Sequence, residues 1–160
     1  MSQEIDPEWY RFRDTIYSKA FEKADEMLRA RPALLHLMNG TGETVMHFLA
    51  VENDEEGVAW LYARGADLNT KNVFGEPALF EVASLEYKRL FEWFVNMGAD
   101  VHARDRDDRD VVVHLLAFDK EEMAEWVRRL LVRTAALPSS SRRRLREQLR
   151  STRRVGRRSS

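Results

Sequence analysis

Apolar residues near the start of the chain recur at three and four positions: Trp9, Phe12, Ile16, Ala20, Ala24 and Leu28. That spacing predicts helix within residues 8 to 38. Pro32 disfavours helical geometry at Arg31, so the segment reads as two helices or as one long helix followed by the short apolar stretch ALLHLM. NGTG at 39 to 42 is a turn signal. Beyond it, Val45, Met46, Leu49 and Ala50 give a helix over 45 to 51 one buried side, with Thr44 as its cap. A polar link leads to a second helix over 55 to 63, stopped by Gly65. GADLNTKNVFG then forms an irregular or hairpin connection, and Pro77 stands where Thr44 stood. Phe91, Phe94 and Val95 place an apolar stripe on the following helix, which Gly98 closes.

The pattern repeats. Gly42 recurs as Gly75, Ala50 as Ala83, Gly65 as Gly98 and Asp67 as Asp100, each at an offset of 33. A period of this length predicts a stack of small helical units. Short helices over 45 to 51 and 78 to 84 belong on one face, with partners over 55 to 63 and 88 to 96 on the other. Loops 67 to 74 and 100 to 109 project from one edge. Ala50 and Ala83 allow close helix approach, and Asp67 and Asp100 accept turn amides. In the third unit VVVHLLAF follows GEPALFEVA at an offset of 34, with no glycine before it. Its β-branching favours a strand, but the preceding units favour a helix. EMAEWVRRLL, 122 to 131, closes that unit with Met123, Trp126, Val127 and Leu130 inward. Units of this kind bury their faces only against neighbours, and polar ends close the array at about four.

TVMH at 44 to 47 and RGADLN at 64 to 69 resemble the helix start and the ending of the ankyrin repeat. In the second unit Pro77, Ala78, Leu79 and Phe80 stand where TVMH stood, and MGADVH matches the ending. The third keeps His114 at the corresponding point once the one-residue shift is accepted. The resemblance covers residues 39 to 131, with 8 to 38 as a divergent first unit. It implies an all-α solenoid of about four stacked helix pairs that binds another protein and does not catalyse. It also implies that His47 braces neighbouring turns.

Composition divides the chain. Segment 138 to 160 carries nine Arg against one Glu, a charge of +8. Since the whole chain has a formal charge of -1, residues 1 to 137 carry -9. We therefore read a repeat domain over 1 to 137 and a flexible Arg/Ser-rich tail over 138 to 160. The tail reads as a disordered solubilising segment, as docking on the acidic body, or as contact with an anionic partner. No run approaches the roughly 20 apolar residues of a membrane span, and the start lacks an export segment. The expected compartment is the cytoplasm, and a monomer is the default state.

Chemistry narrows the function further. Cysteine is absent, which excludes disulfides and Cys-ligated zinc. Phosphate-loop and dinucleotide fingerprints are missing. DRDDRD at 105 to 110 lacks the glycine and terminal glutamate of a calcium loop. No enzyme, cofactor or metal is expected. The partner-binding candidates are Phe74 at a loop tip, Trp93 off its helix stripe, Asn72, His102, and the loop acids Asp105, Asp107, Asp108 and Asp110. They suit an adaptor or inhibitor of a basic partner protein. One alternative is a regulator that uses the basic tail on nucleic acid, in a salt-dependent manner and without aromatic stacking. Another is an immunity protein that neutralises a basic toxin.

Overall fold

The computed structural model describes residues 5–151. The first pair is α1 (Pro7–Tyr17) and α2 (Phe21–Ala30), followed by a 3-10 turn at Pro32–His36. Asp6 starts α1 by accepting from the Glu8 amide, with Pro7 in the first turn. The apolar pattern ran on through Ala20. The chain nevertheless breaks at Ser18–Ala20, where Lys19 takes a left-handed φ of 65°. The expected break at Arg31–Pro32 also occurs, but it leads into the 3-10 turn, and the helix expected before it is divided in two.

Three further pairs follow: α3 (Val45–Val51) with α4 (Glu55–Ala63), α5 (Ala78–Ser84) with α6 (Lys88–Met97), and α7 (Val111–Ala117) with α8 (Glu121–Ala136). Left-handed residues turn each pair at matching places, Asn53, Glu86 and Asp119, in register with Lys19. Among the described residues the chain forms no strand, and its one isolated bridge joins Lys71 and Pro77.

Helices α1, α3, α5 and α7 lie side by side as an inner row, and each packs on its own outer partner. Ala50 and Ala83 are fully buried at equivalent points of that row. Phe12, Ile16, Leu49, Leu79, Phe80, Phe91 and Phe94 fill the single core between the rows. Lys19 pairs with Asp54, the cap of α4, and so ties the first unit to the second.

The third unit has not slipped. α7 begins at Val111, which is 33 residues after Ala78, as Ala78 is after Val45. The missing glycine misled the alignment: Asp108 takes φ 59° where Gly42 and Gly75 take 73° and 74°. In the true register His47 corresponds to Phe80 and Val113, while His114 corresponds to Phe48 and Glu81.

The C-terminal part extends further than the repeat pattern. α8 extends past residue 131 to Ala136. Of the Arg/Ser-rich tail, expected to be flexible, residues 139 to 151 form helix α9 (Ser139–Ser151), which lies against α6. The expectation for residues 152–160 lies outside the described residues. The C-terminal end of the stack is also less polar than the closed-array reading required. Val113 and Leu116 stand 47% and 38% exposed at positions that are buried in the earlier units.

Candidate partner-binding face

Three finger-like turns connect the units and are built alike. Asn39, Asn72 and Asp105 each donate a backbone amide across the turn, to the carbonyls of Glu43, Glu76 and Arg109 at 2.9–3.0 Å. Each also accepts two turn amides on its Oδ1. For Asn72 these come from Phe74 and Glu76 at 2.9 and 3.1 Å, and for Asp105 from Asp107 and Arg109 at 2.9 and 3.0 Å. The fingers are laced together at their tips. The Val73 amide donates to the Thr41 carbonyl at 3.0 Å, and the Arg106 amide to the Phe74 carbonyl at 2.9 Å.

This geometry sorts the sequence candidates. Asn72 and Asp105 are buried and committed to their turns. The remaining loop acids are largely neutralised from within. Arg109 pairs with Asp105 at 2.9 Å and Asp107 at 2.7 Å, Arg104 lies 3.6 Å from Asp108, and Asp110 caps α7 through the Val113 amide. Asp105 and Asp107 thus share the Arg109 guanidinium, while the side chains of Asp107 and Asp108 stay exposed. Phe74 is exposed at the finger tip, with the Arg106 guanidinium 5.6 Å over its ring. Trp93 is half-buried on the outer row, edge-on to Tyr62 at 5.6 Å. His102 is exposed and lines a hollow of about 310 Å³ with Val95, Ala99, Leu131 and Ala135. The structure thus spreads the candidates over three places.

Sequence reasoning missed the open side of the inner row. Phe48, Glu81 and His114 occupy one equivalent position of α3, α5 and α7, and one turn further on stand Glu52, Leu85 and Phe118. The period of 33, applied from Phe48, is the signal that finds them. Leu85 and Phe118 are exposed, and Phe48 is half-buried against Tyr17, edge-on at 5.9 Å. Glu81 has no hydrogen bond or ion pair among the described residues. Partial burial raises its carboxyl pKa, the neighbouring charges of Glu76 and Glu43 raise it further, and His114 pulls against them. Burial likewise lifts that of Glu76, against the pull of His114. Glu43 is tethered to Asn39 Nδ2 at 2.9 Å and Thr41 Oγ1 at 3.0 Å.

Both buried histidines act as braces. His47 Nδ1 lies 3.2 Å from the Thr44 amide and 3.1 Å from the Thr44 hydroxyl, closing a capping box on α3. Its Nε2 lies 3.3 Å from the Glu76 carbonyl oxygen, which fastens the next finger. Burial lowers the His47 pKa, partly offset by its contact with the Glu76 carbonyl. His114 connects Asp105 Oδ2 at 3.0 Å to the Ser84 hydroxyl at 3.3 Å.

The Ser84–His114–Asp105 connectivity resembles a nucleophilic set. However, Ser84 ends α5, where a helix offers free carbonyls and not the amides an oxyanion needs. Phe80 and Phe118 also bracket the imidazole, at 5.1 and 4.9 Å. Glu76, Asp105 and His114 bring ligand atoms within 4.8 Å of one another. The Arg109 guanidinium already occupies Asp105 Oδ2, so a metal ion would have to compete with a resident cation. This arrangement joins α5, the last finger and α7.

The fold and this face define a helical repeat solenoid with an open inner row and a finger edge. Residues 46–95 match the family model described as ankyrin repeats (many copies), and the all-helical repeat architecture is consistent with that family. No curated protein matches the sequence. Ankyrin repeats are in general protein–protein interaction modules, typically without catalysis. Among the described residues no helix is long and apolar enough to cross a membrane.

Proposed function

We propose that this protein is a non-catalytic binder, an adaptor or inhibitor, that holds a basic partner protein on the open inner-row face and the adjoining finger edge. The observation that carries this reading is the composition of the face. Exposed Leu85 and Phe118 and half-buried Phe48 alternate with Glu52 and with Glu81, a carboxylate with no hydrogen bond or ion pair among the described residues. An apolar anchor beside unpaired negative charge suits a partner that brings both apolar and basic groups. Phe74 extends the apolar surface along the finger edge. We further propose that residues 1 to 137 are the binding unit.

Affinity capture from the native host tests this. Full-length protein is compared with Phe118→Ala, with Phe74→Ala, and with a version ending at Leu137. The expected result is a partner retained by the truncated version and lost from Phe118→Ala. Retention by both Phe variants together with loss on truncation would transfer the function to the Arg-rich segment and its anionic partners.

A further inference from the structure

Neighbouring inner helices present equivalent residues at the helix–helix packing distance of about 8–10 Å. A segment in the extended polyproline II conformation advances about 9 Å in three residues, at about 3.1 Å each, and returns every third side chain to the same face. A segment laid across the inner row therefore meets successive units at every third side chain. The units it meets here are not equivalent. Over α3 it meets Phe48, with Tyr17 packed beside it. Over α5 it meets Glu81, with Glu76 and Glu43 close enough to raise its pKa. Over α7 it meets Phe118, which covers the His114 ring at 4.9 Å. The face thus reads apolar, negative, apolar along the direction such a segment would cross it. Leu85 lies one turn from Glu81 and floors the centre.

Resting on the binding reading above, we propose that this face takes an extended segment of a partner protein with one Arg or Lys over Glu81 and apolar side chains three positions to either side, over Phe48 and Phe118. Charge complementarity fixes the occupant. An acidic segment would meet three carboxylates. A purely apolar one would leave Glu81 covered and unpaired, which is costly for a half-buried charge. Among the neighbouring groups His114 pulls the Glu81 pKa down, but its ring is already held by Asp105 and Ser84. Arg109 is committed to Asp105 and Asp107, and Arg13 is paired with Asp14 and stacked 4.7 Å from Phe48.

The test selects displayed short peptides of random sequence on the full-length chain, then titrates the enriched peptides in solution. Arg or Lys flanked by apolar residues at three positions on each side is expected. Affinity should fall about tenfold, about 1.4 kcal/mol, on Glu81→Gln, and should be unchanged for Glu125→Gln on the outer row. Glu81→Gln is nearly isosteric and removes a strained charge, so its folding is checked by an unchanged melting temperature. Enrichment of acidic or uncharged peptides, failure to enrich any, or affinity indifferent to Glu81→Gln would overturn the proposal. Basic peptides that ignore Glu81→Gln but are lost on Phe74→Ala would overturn it while leaving the finger edge as the binding surface. Affinity that rises when the chain is ended at Ser151 would name the protein's own Arg-rich segment as the occupant, and would overturn the commitment to a partner.

Discussion

A β-carbon added at Gly75 would fall 2.8 Å from the backbone nitrogen of Arg106. That nitrogen is the one that donates to the Phe74 carbonyl at 2.9 Å, so the second and third fingers touch backbone to backbone at this point. Gly75 also holds φ 74°, which L side chains rarely adopt. Gly75→Ala is therefore expected to cost about 1–3 kcal/mol through strain and lost lacing. Chemical denaturation measures it. The third finger offers the reverse experiment, since Asp108 holds φ 59° with a full side chain. Asp108→Gly should be neutral or stabilising by up to about 1 kcal/mol. If Gly75→Ala proved harmless, the finger contact would be incidental.

His47 is the second place where the units are fastened. Removing it with His47→Ala leaves the Thr44 amide without its imidazole acceptor, a loss of about 1–3 kcal/mol for a buried group. His47→Gln keeps a side chain able to complete the capping box, and should cost less. The pH dependence separates the two roles. Burial lowers the folded pKa below the ordinary 6.5, so the unfolded chain binds the proton more readily. The stabilisation is complete above pH 6.5 and is lost as pH falls through the folded value. Glu76 and Glu81, both raised, act with the opposite sign at lower pH. The informative quantity is the difference between wild type and His47→Gln, which should narrow between pH 7 and pH 5. A constant difference would remove His47 from the titration.

How far the sequence revealed this arrangement depends on which residues carry local information. Gly42, Ala50, Gly65 and Asp67 each answer a backbone or packing demand that recurs unchanged in the next unit. Their period therefore located α3 to α6 within a residue. The third register failed for the complementary reason. Asp108 meets the demand that glycine meets elsewhere, and His114 attracted an alignment to His47 that the helix start at Val111 rules out. The candidate face was hidden more deeply. Whether Asp107 or Glu81 is available to a partner depends on which cation lies within reach, and Arg109 settles that only in three dimensions. A sequence shows the charges of DRDDRD but not which of them are paired.

Asp105 joins the last finger to the last inner helix, and its acid sensitivity is the measurable consequence. Burial alone would raise its pKa. The amides of Arg109 and Asp107, with the His114 ring and the Arg109 guanidinium, outweigh that and hold it at about 2. A group depressed on folding stabilises above its unfolded value near 3.8, and that contribution is lost as pH falls toward 2. Asp105→Asn retains the amide-accepting oxygen seen at Asn39 and Asn72 but loses the charge. It should unfold less steeply over that range than wild type, with a lower midpoint at neutral pH. Added zinc or a chelator should leave the wild-type melting temperature unchanged, because Arg109 already neutralises the carboxylate. A metal-dependent rise would show instead that the cation displaces Arg109.

Leu116 tests whether the stack ends where the chain places its last unit. Its counterparts Ala50 and Ala83 are fully buried, each pressed by the inner helix of the following unit, whereas Leu116 is 38% exposed with no unit beyond it among the described residues. One position should therefore respond in opposite ways along the array. Ala50→Leu or Ala83→Leu forces extra methyl groups between α3 and α5 or between α5 and α7, and should cost about 1–3 kcal/mol by overpacking. Leu116→Ala removes the same atoms from a partly open surface and should cost well under about 1.5 kcal/mol, since little apolar area returns to water. Val113→Thr, beside it and 47% exposed, should be close to neutral. Denaturation midpoints of the variants, read at several protein concentrations, give the answer. If Leu116→Ala destabilised as strongly as a core deletion, and more so at high concentration, the exposed end would be a covered surface, and a second copy would be what covers it.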